Sequence, residues 1–96
     1  MKEYPDTRDL LMIKEWDVIK DPFGLLDFVE SVTWTPDWCI NIRGKRVKYF
    51  EFHTGGWSGN EEIIGALKDN PNFFLLYWIK TYRGGHYYFK VYKLKS

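Results

Sequence analysis

Phe73–Leu94 reads FFLLYWIKTYRGGHYYFKVYKL, and this stretch decides the fold. Two runs rich in aromatic and β-branched residues, Phe73–Tyr82 and His86–Leu94, flank Gly84-Gly85, a pair suited to a two-residue turn with positive φ at both central positions. Such a turn predicts an antiparallel hairpin in which Arg83 faces His86, Thr81 faces Tyr88, Ile79 faces Lys90 and Tyr77 faces Tyr92. That side mixes aromatics with Arg, Lys and His and suits a half-solvated surface. The other side carries Phe74, Leu76, Trp78, Phe89 and Val91, and is expected to face helices.

Working outward, Trp38–Arg43 and Val47–Thr54 read as a second pair of strands joined by Gly44-Lys45-Arg46. Between the hairpins, Ser58 and Glu61 have capping-box spacing, and Ile63, Ile64 and Leu67 follow at helical intervals. These predict a helix from about Gly59 to Asp69, ended by Asn70-Pro71. Earlier in the chain, Asp21-Pro22 is a helix start, and Leu25, Leu26, Val29 and Val32 form one apolar stripe that should end near Thr33. Met12, Trp16 and Ile19 predict a further short helix within Thr7–Lys20. The whole is an α+β fold: N-terminal helices, hairpin, helix, hairpin, with the four strands in one antiparallel sheet and helices on one face. A single domain is expected over residues 1–96, with residues 1–6 as a flexible tail.

Composition narrows the function classes. Five Trp, seven Tyr and seven Phe in 96 residues supply enough large side chains for a core, so disorder is expected only at the ends. A formal charge of +1 removes the whole-chain field that draws proteins to nucleic acid or acidic membranes. The local basic clusters, Arg43, Lys45, Arg46 and Lys48 and then Lys90, Lys93 and Lys95, read as solvated turns. Cys39, the single cysteine, reads as a buried thiol in a reduced compartment. No apolar run approaches the ~20 residues that span a bilayer, and the N-terminus lacks a secretion segment, so a cytoplasmic protein with no membrane partner is expected.

Few residues suggest chemistry. The glycines of Thr54–Glu62 would suit an anion cradle, but Glu61 and Glu62 in the following helix's first turn repel a phosphate. Trp57 either pins its loop to the core or stands exposed to a partner, and the core role is the favoured one. His53 and His86, the two histidines, each adjoin a Gly-Gly pair, and convergence with Glu51 and Arg83 at one rim would support proton transfer. Histidines at hairpin ends more commonly only hydrogen-bond, and no catalytic set is expected. Metal and cofactor sites are not expected either, because two His and one Cys lack zinc-ligand spacing. The leading expectation is a non-enzymatic module that binds a protein through Trp57, Arg83, His86, Tyr88, Lys90, Tyr77, His53 and Glu51. The alternative is a small molecule, nucleotide or single-stranded nucleic acid on the same aromatic and basic face. Cover of that face by a second subunit, making a homo-oligomer, stays open.

The segments TGGWSGNEEIIGAL (Thr54–Leu67) and YWIKTYRGGHYYF (Tyr77–Phe89) resemble a family of small uncharacterised reading frames of phages, prophages and other mobile elements. The likeness covers the C-terminal half. It implies no catalytic residues. It implies a context, an accessory factor that binds and blocks a host protein such as a defence component.

Overall fold

A computed structural model describes residues 4–94. The order is α1 (Thr7–Glu15), α2 (Pro22–Val32), α3 (Pro36–Cys39), β1 (Ile40–Arg43), β2 (Val47–His53), α4 (Ser58–Asp69), α5 (Phe73–Tyr77), β3 (Trp78–Tyr82) and β4 (His86–Tyr92). The strands form one antiparallel sheet in the order β1-β2-β4-β3, so the two hairpins join through β2 and β4 at its centre. This is the α+β architecture expected, with helices on one face.

Alternation along the two central strands sorts the faces. Phe50 and Phe52 of β2 and Phe89 and Val91 of β4 are buried against the helical layer. Phe89 sits at the centre of the aromatic core, with ring centroids 5.5 Å from Phe50 and 4.9 Å from Phe73. Leu25, Leu26, Val29 and Val32 of α2 and Ile63, Ile64 and Leu67 of α4 complete the core. Burying one such side chain stabilises the fold by about 1.5–3 kcal/mol.

Local signals start and stop the helices. Asp6 caps α1 in a reciprocal box, with Asp9 N–H donating to Asp6 Oδ1 at 2.8 Å and Asp6 N–H donating to Asp9 Oδ2 at 3.1 Å. The expected tail therefore does not include Asp6, and residues 1–3 lie outside the described residues. Helix α1 stops at Glu15, and Met12 and Ile19 of the predicted stripe are exposed; Ile13 and Val18 are the residues buried there. Asp21 caps α2 through Gly24 N–H at 2.9 Å, as expected. Buried Asn70 ties α1 to the α4–α5 corner. Its Nδ2 donates to Ile13 O and Trp16 O at 2.9 and 3.0 Å, while its Oδ1 accepts from Asn72 and Phe73 N–H.

Further expectations need correction. Phe73–Tyr77, expected as the first half of a strand, is the short helix α5, and Trp78, expected to face the helices, is 48% exposed. Trp38 and Cys39, expected to begin the strand Trp38–Arg43, lie instead in the helical turn Pro36–Cys39, where Pro36 occupies the first helical position; β1 begins only at Ile40. Ser58 does not cap α4, whose N-cap is Trp57 without a side-chain bond. The C-terminal hairpin is offset by one residue. Gly84 and Gly85 have positive φ, 90° and 81°, but Tyr82 pairs with His86, so Arg83 joins them in a three-residue loop. Lys80 then pairs with Tyr88, and a bulge at Ile79 returns Trp78 opposite Phe89. The extra loop residue lets Gly85 O accept Thr54 N–H from the neighbouring turn at 2.9 Å.

Tyr77, placed on the open face by the predicted register, instead ends α5 and is 1% exposed. Its hydroxyl donates to Tyr92 O at 2.9 Å, and burial, with Tyr92 beside it, raises its ionisation above the ordinary phenol range. Among the described residues, no helix is long and apolar enough to cross a membrane.

Candidate functional site

The two segments singled out in the sequence meet. Strand β2 ends at His53 and β4 begins at His86, and these residues are ladder partners, so the turns that follow one and precede the other lie side by side. Thr54 N–H closes the junction on Gly85 O. A Cβ on Gly85 would collide with Thr54 Oγ1, so the close approach requires glycine there as much as the positive φ does.

Across the junction, His53 Nδ1 and His86 Nδ1 are 2.7 Å apart, and His53 Nε2 is 3.4 Å from Glu51 Oε1. An Nδ1–Nδ1 contact needs one N–H and one lone pair. Glu51 can only accept, so the arrangement that satisfies both contacts has His86 donate to His53 and His53 donate to Glu51. His86 Nε2 is then the acceptor end of the chain, beside Gly84. Glu51 also lies 3.5 Å from the Arg43 guanidinium, which offsets its charge. Tyr88 packs edge-on against His53 at 5.8 Å and against Tyr82 at 5.7 Å, with Lys80 Nζ 5.1 Å from both tyrosine rings.

His53 reaches a second feature. With Thr35, Trp38, Cys39, Gly55 and Trp57 it lines a groove of about 390 Å3. Its two tryptophans are presented by the turns around it. Trp57 packs edge-on against Trp34 at 3.8 Å, yet it remains 42% exposed, so it both anchors its loop and contributes surface. Trp38 projects from the α3 turn at 86% exposure. The buried organiser is Asn60: its Nδ2 lies 3.3 Å from Thr54 O, 3.4 Å from Trp34 O and 3.4 Å from Cys39 Sγ, and its Oδ1 accepts Trp34 N–H. Cys39, expected in the core, is buried and free, and its thiol contacts Thr35 and Asn60.

The residues expected to form a site are therefore partly united. Glu51, His53, His86 and Tyr88 converge on the open sheet face, and Trp57 adjoins them through the groove. Arg83 is exposed in the loop beside His86, and Lys90 lies farther along β4 opposite Tyr49. Tyr77 is excluded by burial. Sequence reasoning missed Tyr82 and Lys80, which the one-residue offset moves onto this face, and Trp38, whose Thr35-Pro36 start marked a helical turn. It also missed Asn60, hidden by reading Ser58 as the cap.

The Glu51–His53–His86 chain can pass a proton along the sheet surface, but among the described residues neither imidazole is hydrogen-bonded to a hydroxyl or thiol. Among the described residues, no group of three or more His, Cys, Asp and Glu is arranged to hold a metal ion. Comparison with protein-family models, curated proteins and solved structures finds no match.

Proposed function

We propose that the protein is a non-enzymatic binding module that docks a protein partner on the corner where its two glycine turns meet. The observation that carries this reading is the convergence of the two distinctive segments on one surface. Trp38 and Trp57 border a groove that ends at His53, and His53 in turn contacts His86 and Tyr88, with Tyr82 packed on Tyr88. Exposed tryptophan and tyrosine beside a charged rim, here Arg83, are the composition of interface hot spots. Binding is favoured over catalysis because the two imidazoles are engaged with each other and with Glu51 and, among the described residues, neither is hydrogen-bonded to a hydroxyl or thiol. The resemblance to mobile-element reading frames makes a host protein, blocked by this contact, the first candidate partner.

The test is affinity purification of the tagged chain from cells that carry its gene, with quantification of what co-elutes. A stoichiometric protein partner should be retained by Lys20→Ala and lost or weakened at least tenfold by Trp38→Ala, Trp57→Ala and Tyr88→Ala, each confirmed folded. A partner that all the variants keep equally would place the contact elsewhere and overturn the reading.

A further inference from the structure

The formal charge of +1 conceals a separation of charge. Ile40–Thr54 and Trp78–Leu94 together hold eight lysines and arginines against one acid, Glu51. The rest of the described chain holds four against eleven acids. The sheet layer is thus basic and the helical layer acidic. Clusters that read as solvated turns are one side of a polarised molecule, and the weak net charge does not argue against an anionic ligand there.

Three depressions with shared walls cross the basic layer. One of about 490 Å3 lies at the β1–β2 tip between Phe23 and Tyr92, and its charged lining is Lys45, Arg46 and Lys93. Tyr92 and Val47 also wall a second, of about 470 Å3, which Lys90 lines. Ile79, thrown forward by the bulge, is common to the second and a third of about 200 Å3, lined by Tyr49, Tyr88, Lys80, Arg43 and Glu51. The track carries one acid, and that acid already faces Arg43 and His53. Of its cations, only Arg43 has an ion-pair partner among the described residues. Lys48 and Lys93 instead crowd one ring, their Nζ atoms 4.9 and 5.5 Å from the Phe23 centroid.

Tyr92, Lys90 and Tyr88 alternate on one face of β4 at intervals of about 6.8 Å, twice the strand rise. Regularly spaced aromatic rings interleaved with cations match a ligand that has both planar faces and repeated negative charge. An acidic peptide supplies the charge without the planar faces, and a duplex keeps its base faces stacked inside. We propose that this track binds a short single strand of nucleic acid, its phosphates toward Lys45, Arg46, Lys90 and Lys93 and its bases on Tyr92, Tyr49 and Tyr88. The inference does not rest on the protein-docking corner, whose tryptophans are at the other end of the β2–β4 ladder, although the two surfaces share Tyr88.

The test is fluorescence anisotropy of a labelled 12-nucleotide single strand, as DNA and as RNA, with the full chain. Four neutralised phosphates predict about 50-fold weaker binding at 200 mM than at 50 mM salt. Lys45→Glu with Arg46→Glu, at an exposed tip, should weaken binding at least tenfold and flatten the salt dependence. Tyr49→Ala should weaken it about tenfold with the salt dependence unchanged. Lys20→Glu on the helical layer and Trp38→Ala at the corner should leave affinity within about twofold, and melting curves confirm folding throughout. Absence of binding at 50 mM salt overturns the proposal. So does equal competition by poly-glutamate, which would mark a surface for acidic protein, or by ATP, which would mark a mononucleotide site. Loss of the corner partner in Trp38→Ala with strand binding intact would separate the two surfaces.

Discussion

The two ends of the β2–β4 ladder are built oppositely. At the His53–His86 end, two turns exchange a backbone hydrogen bond, a glycine is required by contact, and a buried asparagine ties three segments together. At the Val47–Tyr92 end, six ladder positions away, the chain is held by the Tyr77 hydroxyl on Tyr92 O, and cations gather around one phenylalanine. The first end is rigid because its polar groups are used internally. The second leaves its charges unspent. Rigidity suits an interface that must present tryptophans in fixed positions, whereas unpaired lysines on flexible stems suit a polyanion whose register varies.

Stability measurements can break this contrast, beginning with the largest effect. Gly85→Ala should cost about 3 kcal/mol, from a left-handed φ of 81° and the collision with Thr54 Oγ1. Gly56→Ala, with a similar φ of 78° and open space around it, should cost about 1–2 kcal/mol. Urea unfolding of the two variants gives the comparison directly, and equal losses would show that the turns' contact contributes nothing.

An intermediate effect is expected at the other end. Tyr77→Phe removes the hydrogen bond to Tyr92 O and should cost about 1 kcal/mol at neutral pH. The pH dependence has a definite sign. Because the folded-state ionisation of Tyr77 is raised, the native protein holds this proton more tightly than the unfolded chain. The stability this contributes is complete below the ordinary tyrosine value of 10.0 and is lost as pH rises through the higher folded value. Denaturation midpoints from pH 9 to about 11.5 should fall more steeply for the native chain than for Tyr77→Phe. Parallel curves would assign the alkaline loss to other tyrosines.

The smallest effect belongs to the basic tip. Lys45→Glu with Arg46→Glu should change stability by less than about 0.5 kcal/mol, since both residues are exposed and neither has an ion-pair partner among the described residues. A loss above about 1 kcal/mol would show that the tip is structurally bound after all.

Much of the fold was legible because its signals are local. Asp21-Pro22, the stripe Leu25, Leu26, Val29 and Val32, and the alternation of β4 each specify their element within a few residues. The errors occurred where a distant partner decides. Gly84-Gly85 alone reads as a two-residue turn; in the fold Arg83 joins the loop and Gly85 O accepts the N–H of Thr54, 31 residues earlier in the chain. A one-residue change in register shifts the pairing of β3, so Lys80 and Tyr82 replace Thr81 and Arg83 as partners of Tyr88 and His86. The histidine pair was foreseeable as a possibility because both residues border glycine turns, but its geometry depends on β2 lying beside β4. The separation of charge was present in the sequence and invisible in its total.

The bulge at Ile79 has a consequence for how copies of this chain meet one another. Strand β3 is a sheet edge, and all five of its residues are exposed. A straight edge of that kind offers free N–H and C=O groups to any passing strand, the route to open-ended stacking of sheets. With the repeat interrupted between Trp78 and Lys80, an incoming strand can match the hydrogen bonds on only one side of the break, and Lys80 adds a charge on the remaining side. The irregularity that widens the open face thus also protects an aromatic-rich edge from self-association.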